Sequence, residues 1–303
     1  MDYKEELLTI DCDASLVGIL TLPVESAPRR NRTAVILLNA GIVHRVGPNR
    51  IHVLMARRFA RQGWLVCRFD LSGIGDSTVS SASVGFDDRA PGEVKAVMDH
   101  LQEAHGIRRF VLAGICSGAD VALQCALLDE RVVGCGLING RLVDKEIAMT
   151  IRDQLNAKNQ GRYFVGHLGS PRSWFRALTF QSAYAKWWQG LKVLVRSRWT
   201  GQGKDIDRGE ASAWMGELTA RGVSVYLIYA GGSSALDLYN SLFKAEVTRL
   251  GRAGQPIRAE EVEADHTFTL SWAQHALVDS LVRWLGEGVA DGEPAVAAAG
   301  STA

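Results

Sequence analysis

Three apolar runs open the chain before any helical spacing is met. Residues 7–10 form a short run, residues 16–22 end against Pro23, and residues 34–38 are unbroken. Each is too short for a helix and bounded by polar or turn residues, so each predicts a strand. From about Ile51 to Gln62 the spacing changes. Leu54, Met55, Phe59 and Ala60 share one side of a helix, and Gly63 closes it. The alternation then repeats, with strands expected at 64–69, 109–113, 132–138, 223–229 and 257–262, and helices at 91–104, 117–128, 236–250 and 271–285. Strands separated by helices of this length indicate βαβ units and a mostly parallel sheet of about eight strands. The opening strands, with no helix between them, indicate an antiparallel edge.

Two stretches depart from this alternation. Residues 140–207 carry Trp174, Phe180, Tyr184, Trp187, Trp188 and Trp199, with helical character expected at 143–155 and 173–195. An aromatic-rich insertion between two strands suits a cap over a site, lined there by Trp187 and Trp188. A helical layer burying its own core has the same composition. Residues 287–303 are rich in Gly, Ala and Pro and are expected to be a disordered tail. The expected organisation is an α/β core of residues 1–139 and 208–286, an insertion at 140–207 and a tail.

Composition narrows the function. A net charge of +1 with scattered Lys and Arg gives no bulk attraction to nucleic acid or anionic membrane. The start MDYKEELLTI lacks a basic region followed by an apolar stretch, so no secretory signal is expected, and no apolar run is long enough for a membrane span. The five cysteines lack metal-ligand spacing. Cys67 and Cys135 fall in expected strands and Cys125 on an expected helix, as small buried hydrophobes do; Cys12 is left open. The pattern suits a reducing cytoplasm, and neither metal nor cofactor is expected.

The segment Gly114-Ile115-Cys116-Ser117-Gly118 runs from a strand directly into a helix, the setting of a nucleophile elbow. There the chain folds back sharply, so the residues two before and two after the nucleophile must be small. Centring the turn on Cys116 places glycine at both positions. Centring it on Ser117 places Ile115 and Ala119 there, and Ile115 would collide. Cys116 is therefore the expected nucleophile, with its thiolate favoured at a helix N-terminus. Ser117 would offer its backbone N–H to an oxyanion. An inert buried cysteine in a glycine-rich turn is the alternative.

The expected base is His266, in Asp265-His266-Thr267-Phe268, between the last strand and the last helix. An orienting carboxylate should lie on the loop after the penultimate strand, where Asp237 is the one on offer; it could equally cap the helix that follows. Asp144 is held in reserve. Gly41 lets the loop after the third strand turn an amide toward the site, which makes the Ile42 N–H the second oxyanion donor, with His44 at the mouth. The segment from Asp70 to Ser77 is glycine-rich but lacks the endings of a phosphate or dinucleotide loop, so a structural turn accounts for it.

With these residues in hand, the sequence resembles the α/β-hydrolase superfamily over nearly its whole length. The order nucleophile, acid, histidine matches, as do RFDLSGIGDS and ADHTF. More narrowly, GIVHRVGPNR and FARQGWLVCRFDLSGIGDS are similar to segments of bacterial hydrolases associated with the exosortase A system. Relatives of those hydrolases lie beside acyl-activating and natural-product genes and carry cysteine in the elbow. The resemblance implies an eight-stranded sheet with helices on both faces, a cap and acyl chemistry, but no particular substrate. One departure is the run Gly231-Gly232-Ser233-Ser234, where many members place an Asp soon after the glycine.

Cysteine exchanges acyl groups readily with thioesters, because one thiolate replaces another at little cost. The expected activity is thus a thioesterase or esterase working through an acyl-cysteine on a small acyl ester or thioester, free or carrier-bound. An acyltransferase or cyclase would use the same intermediate with an alcohol or amine in place of water. A dienelactone-hydrolase-like enzyme and a non-catalytic binding protein on the same scaffold complete the alternatives.

Overall fold

Strands β1 (Tyr3–Asp11) and β2 (Ser15–Pro23) pair antiparallel, from Tyr3 opposite Pro23 to Asp11 opposite Ser15. The tight connection between them permits only a hairpin. Alternate positions turn inward, with Leu8 and Ile10 of β1 and Leu16 and Leu20 of β2 buried. This is a computed structural model of the protein, in which residues 2–24, 32–81, 85–143, 146–151 and 208–289 are described. Contacts divide the chain into two compact units, Met1–Leu142 with Ser212–Ala303, and Val143–Ala211. The sheet belongs to the first.

The remaining strands are β3 (Thr33–Leu38), β4 (Leu65–Phe69), β5 (Arg109–Ile115), β6 (Val132–Ile138), β7 (Ser224–Ala230) and β8 (Ile257–Val262). The eight-stranded sheet runs β1-β2-β4-β3-β5-β6-β7-β8. β2 meets β4 antiparallel, and every pairing from there to β8 is parallel. The helices of the first unit are α1 (Ile51–Arg61), α2 (Phe86–His105), α3 (Ser117–Leu128), α4 (Arg208–Ala220, whose start belongs to the second unit), α5 (Ser234–Leu238), α6 (Lys244–Arg252) and α7 (Ser271–Gly288).

Every residue of β3 and of β7 is buried, which explains their continuous apolar runs. On one face Val35, Leu37, Val111 and Tyr226 pack with Met55 and Phe59 of α1 and with Leu277, Leu281 and Trp284 of α7. The residues between them, such as Ile36, Leu112 and Leu137, turn to the other face, where α3 packs on β5 and β6. Parallel strands all end on one side of the sheet, so the loops after β3, β5, β6, β7 and β8 gather there.

Several boundaries differ from expectation. α2 begins at Phe86, before Pro91, and Arg89 N–H already donates to the Gly85 carbonyl. Pro91 lies within its second turn, not at the first helical position that proline favours. The single helix expected over 236–250 is α5 and α6 joined by a π-helical turn at Tyr239–Phe243. That turn leaves Tyr239 stacked on Tyr229, with centroids 4.7 Å apart, and Phe243 fully buried edge-on to Trp214. α4, which had no counterpart in the sequence reading, buries Met215 and Leu218. α7 runs to Gly288, so residues 287 and 288 are helical and not tail.

The first unit extends through Leu142 rather than 139 for a local reason: both Arg141 N–H and Leu142 N–H donate to the Asp120 carboxylate on α3 at 2.9 Å. Most of the expected insertion, residues 152–207, lies outside the described residues, as does the tail from 290. No described helix is long and apolar enough to cross a membrane.

β2 and β4 approach closely at Gly18, where a Cβ would stand 2.9 Å from Phe69 Cβ and 3.1 Å from the Arg68 carbonyl oxygen. Gly18→Ala is therefore expected to destabilise the fold by about 1–3 kcal/mol, measured as a lower urea midpoint.

Candidate functional site

Cys116 is the single residue between β5 and α3, and its backbone sits at φ 58° and ψ −120°. An L-residue adopts this conformation only when its surroundings enforce it. Here the enforcement is visible. Cys116 N–H donates to the Ile138 carbonyl at 2.8 Å, and its own carbonyl accepts from Ala119 N–H at 3.0 Å. A Cβ on Gly114 would lie 2.3 Å from the Gly118 carbonyl carbon, and one on Gly118 would lie 2.6 Å from the Asn39 oxygen. The turn thus closes around Cys116 and not around Ser117, as the glycine spacing predicted. Cys116 is partly exposed.

The other cysteines behave differently. Burial pushes the Cys67 and Cys125 thiols up to about 12 and raises that of Cys135 as well. They are the buried hydrophobes expected of them. Cys12 is exposed, with its thiol directed at the Ala14 carbonyl.

Ser117 opens α3. Besides its backbone amide it contributes something unforeseen: Ser117 Oγ accepts from Gly41 N–H at 2.8 Å and so ties the elbow to the loop after β3. That loop turns at Gly41, φ 58°, with Val43 N–H donating to the Ala40 carbonyl. Ile42 at its tip is 92% exposed, and its N–H has no acceptor among the described residues. His44 is exposed and its carbonyl accepts from Gly47 N–H.

The loop is held from behind by buried polar groups. Asn39 donates to the Val43 carbonyl at 3.0 Å and accepts from Leu71 N–H at 2.9 Å. Asp70 is fully buried, and a buried carboxylate must be matched by donors. Its donors are the Arg45 N–H, the Arg45 guanidinium, Asp76 N–H and Asn39 Nδ2. Burial works against the charge on Arg45, but hydrogen bonds to Asp76 and Asp70 outweigh it and raise the guanidinium pKa. Gly75 wraps so closely that a Cβ there would lie 2.2 Å from Asp70 Oδ2. The glycine-rich turn is structural, as expected, and what it fastens is the loop carrying Ile42.

His266 follows β8. Thr267 and Thr269 donate to the preceding carboxylate of Asp265 from both their N–H and hydroxyl groups, at 2.8–3.2 Å. The hydrogen bond from Thr269 N–H leads the causes that hold the Asp265 pKa far below the usual carboxylate range. Phe268 is fully buried at φ 53°, a plug that anchors the loop from the other side. The His266 carbonyl accepts from Asn139 Nδ2 at 2.8 Å, while its imidazole has no partner among the described residues.

The expected acid does not join it. Asp237 is exposed in the first turn of α5, a helix capped by Ser233, and no hydrogen bond links its carboxylate to His266. A carboxylate in that position is favoured by the helix dipole alone. Asp144, Trp187 and Trp188 lie outside the described residues. Sequence reasoning missed Asn139, which follows β6 and is buried at φ 50°. Its signal was available: an Asn-Gly pair directly after an apolar strand marks a left-handed turn. Among the described residues no group of three or more His, Cys, Asp or Glu could hold a metal ion.

The sequence model of the alpha/beta hydrolase fold matches residues 34–300, which take in the strands from β3 to β8 and the segments bearing Cys116 and His266. The chain belongs to the α/β-hydrolase fold family. Among solved α/β folds, an esterase of Pyrococcus furiosus is similar over 94% of this chain and 91% of its own, at 14% identity and a TM-score of 0.57. An alpha-beta serine hydrolase homologue from Coxiella burnetii covers 93% and 98%, at 12% identity and a TM-score of 0.52. At these identities the likeness is one of fold. No curated protein matches the chain.

Two outcomes are expected of this α/β-hydrolase. Cys116→Gly relieves the backbone strain and should stabilise the protein by about 1–3 kcal/mol, read from the urea midpoint. The lowered Asp265 pKa stabilises the folded loop fully above the unfolded carboxyl value of about 4, and that contribution fades as the pH falls below it. Asp265→Asn should therefore lower the hydrogen-exchange protection of Thr267 and Thr269 at about pH 6, with the gap to wild type narrowing toward about pH 3.

Proposed function

We propose that this protein is an acyl hydrolase, a thioesterase or esterase, that works through a covalent acyl-cysteine on Cys116 with His266 as general base. The observation that carries the reading is the strained turn closed around Cys116, with glycine required on both sides. A fold that stores strain at a partly exposed thiol, at the head of a helix, presents that thiol for reaction.

His266 takes the thiol proton, and the Cys116 thiolate attacks the acyl carbonyl carbon. The oxyanion that forms is met by the N–H groups of Ser117 and Ile42. Collapse breaks the bond to the leaving thiol or alcohol, which receives its proton from His266. Water, deprotonated in turn by His266, attacks the acyl-cysteine; the acid leaves and Cys116 is regenerated. Asp237 is given no step, because nothing joins it to the ring. A cysteine–histidine pair needs less help from a carboxylate than a serine does, since a thiol is the stronger acid.

The test is intact-protein mass spectrometry after mixing with a panel of acyl thioesters of increasing chain length. Wild type should gain the mass of one acyl group and release thiol. Cys116→Ala should gain none, and His266→Ala should turn over about 10²–10⁴-fold more slowly. Turnover preserved in Cys116→Ala would overturn the reading. Acyl transfer to an added alcohol or amine in preference to water would place the enzyme among acyltransferases.

A further inference from the structure

A histidine can serve Cys116 only if something fixes it relative to the thiol, and no described group hydrogen-bonds its ring. The hydrogen bond that locates His266 itself is the one from Asn139 Nδ2 to its carbonyl, 2.8 Å long. Asn139 is 1% exposed, and both polar atoms of its side chain are hydrogen-bonded. Its N–H donates to the Ile228 carbonyl at 2.8 Å, and its Oδ1 accepts from Ala230 N–H at 2.8 Å and from Ser233 Oγ at 3.2 Å. The residue before it, Ile138, holds the elbow by accepting Cys116 N–H. Two consecutive residues at the end of β6 therefore carry the nucleophile on one side and the base on the other.

The chemistry of this position is demanding. One end of the side chain must accept from two donors on the β7 loop, and the other must donate to a carbonyl. A carboxamide of this length does both. Its orientation follows from Ala230 N–H, which can only donate and so selects Oδ1. The left-handed backbone, φ 50°, is tolerated by Asn better than by most residues. Asp would keep the shape but turn a second oxygen against the His266 carbonyl.

We propose that Asn139 is the positioning residue of the base: it sets His266 against Cys116 through the main chain, where a carboxylate on the ring would otherwise do so. This rests on the Cys116–His266 reading above. Asn139 touches no reacting atom, so its effect on the reaction passes through His266.

The experiment measures the rate at which iodoacetamide alkylates Cys116 at neutral pH, followed on the Cys116 peptide so that the exposed Cys12 does not contribute. Four variants are compared with wild type: His266→Ala, Asn139→Asp, Asn139→Gly and the double variant Asn139→Gly/His266→Ala. Asn139→Gly accepts the left-handed backbone and keeps the comparison available should the Asp variant not fold. Each Asn139 single variant should slow alkylation toward the His266→Ala rate, and the double variant should be no slower than His266→Ala. With a thioester substrate, kcat should fall about 10- to 100-fold with KM unchanged. Ser233→Ala removes a neighbouring hydrogen bond while leaving the one to His266, and should leave both rates near wild type.

Asn139 variants that alkylate like wild type while His266→Ala is slow would overturn the proposal and leave the Cys116–His266 pair standing. A further slowing in the double variant would also overturn it, since that is the mark of general loosening. Wild-type alkylation in His266→Ala would instead sink the pair, and the proposal with it.

Discussion

The first turn of α3 lies so close to the end of β3 that no side chain fits between them, and the rest of the site depends on that contact. At Gly118 a single added carbon would stand 2.6 Å from the Asn39 oxygen and 2.8 Å from that of Leu38. Because the helix can come this near, Ser117 reaches Gly41 and the loop after β3 is drawn beside the elbow. A helix held off by one methyl group would lose that hydrogen bond, and with it the tie between the elbow and the loop carrying Ile42. The strain at Cys116 is the other face of the same constraint. The chain has one residue in which to leave the sheet and enter a helix already pressed against it.

Around this contact the polar groups form a second layer whose members come from distant parts of the chain. Asp70 draws in Arg45 and Asp76, Asn39 reaches Leu71, and Asn139 joins the loops after β7 and β8. Each is buried, so each lost partner would leave an unsatisfied group and a cost of about 1–3 kcal/mol. Such networks make loops behave like rigid elements. The loops bearing Ile42 and His266 owe their geometry to carboxylates and amides lying beneath them.

The parts legible in the sequence were those written in local spacing. β3 and β7 were plain because both faces of each strand are covered and all but its first position is apolar. The elbow was plain because its two glycines stand at fixed offsets from Cys116. The hydrogen bonds of Asn139 and Ser117 were not, since residues 127 and 76 positions apart in sequence leave no periodic trace. Asp237 is the opposite case. Chain order pointed to it, while its actual surroundings are those of an exposed carboxylate near a helix start. The π-turn at Tyr239–Phe243 was hidden because one extra residue in a helix barely alters an apolar pattern.

The topology also orders the site in time. β3, β5 and β6, with the elbow between them, come from the first half of the chain, whereas β8 is an edge strand and leads into the final described helix, which packs back on α1. A chain leaving the ribosome presents its early parts first. The turn around Cys116 is held by strands from the first half of the chain, whereas the loop bearing His266 follows the last strand to be translated. A chain cut short before β8 would carry the turn around Cys116 and lack the loop that bears His266.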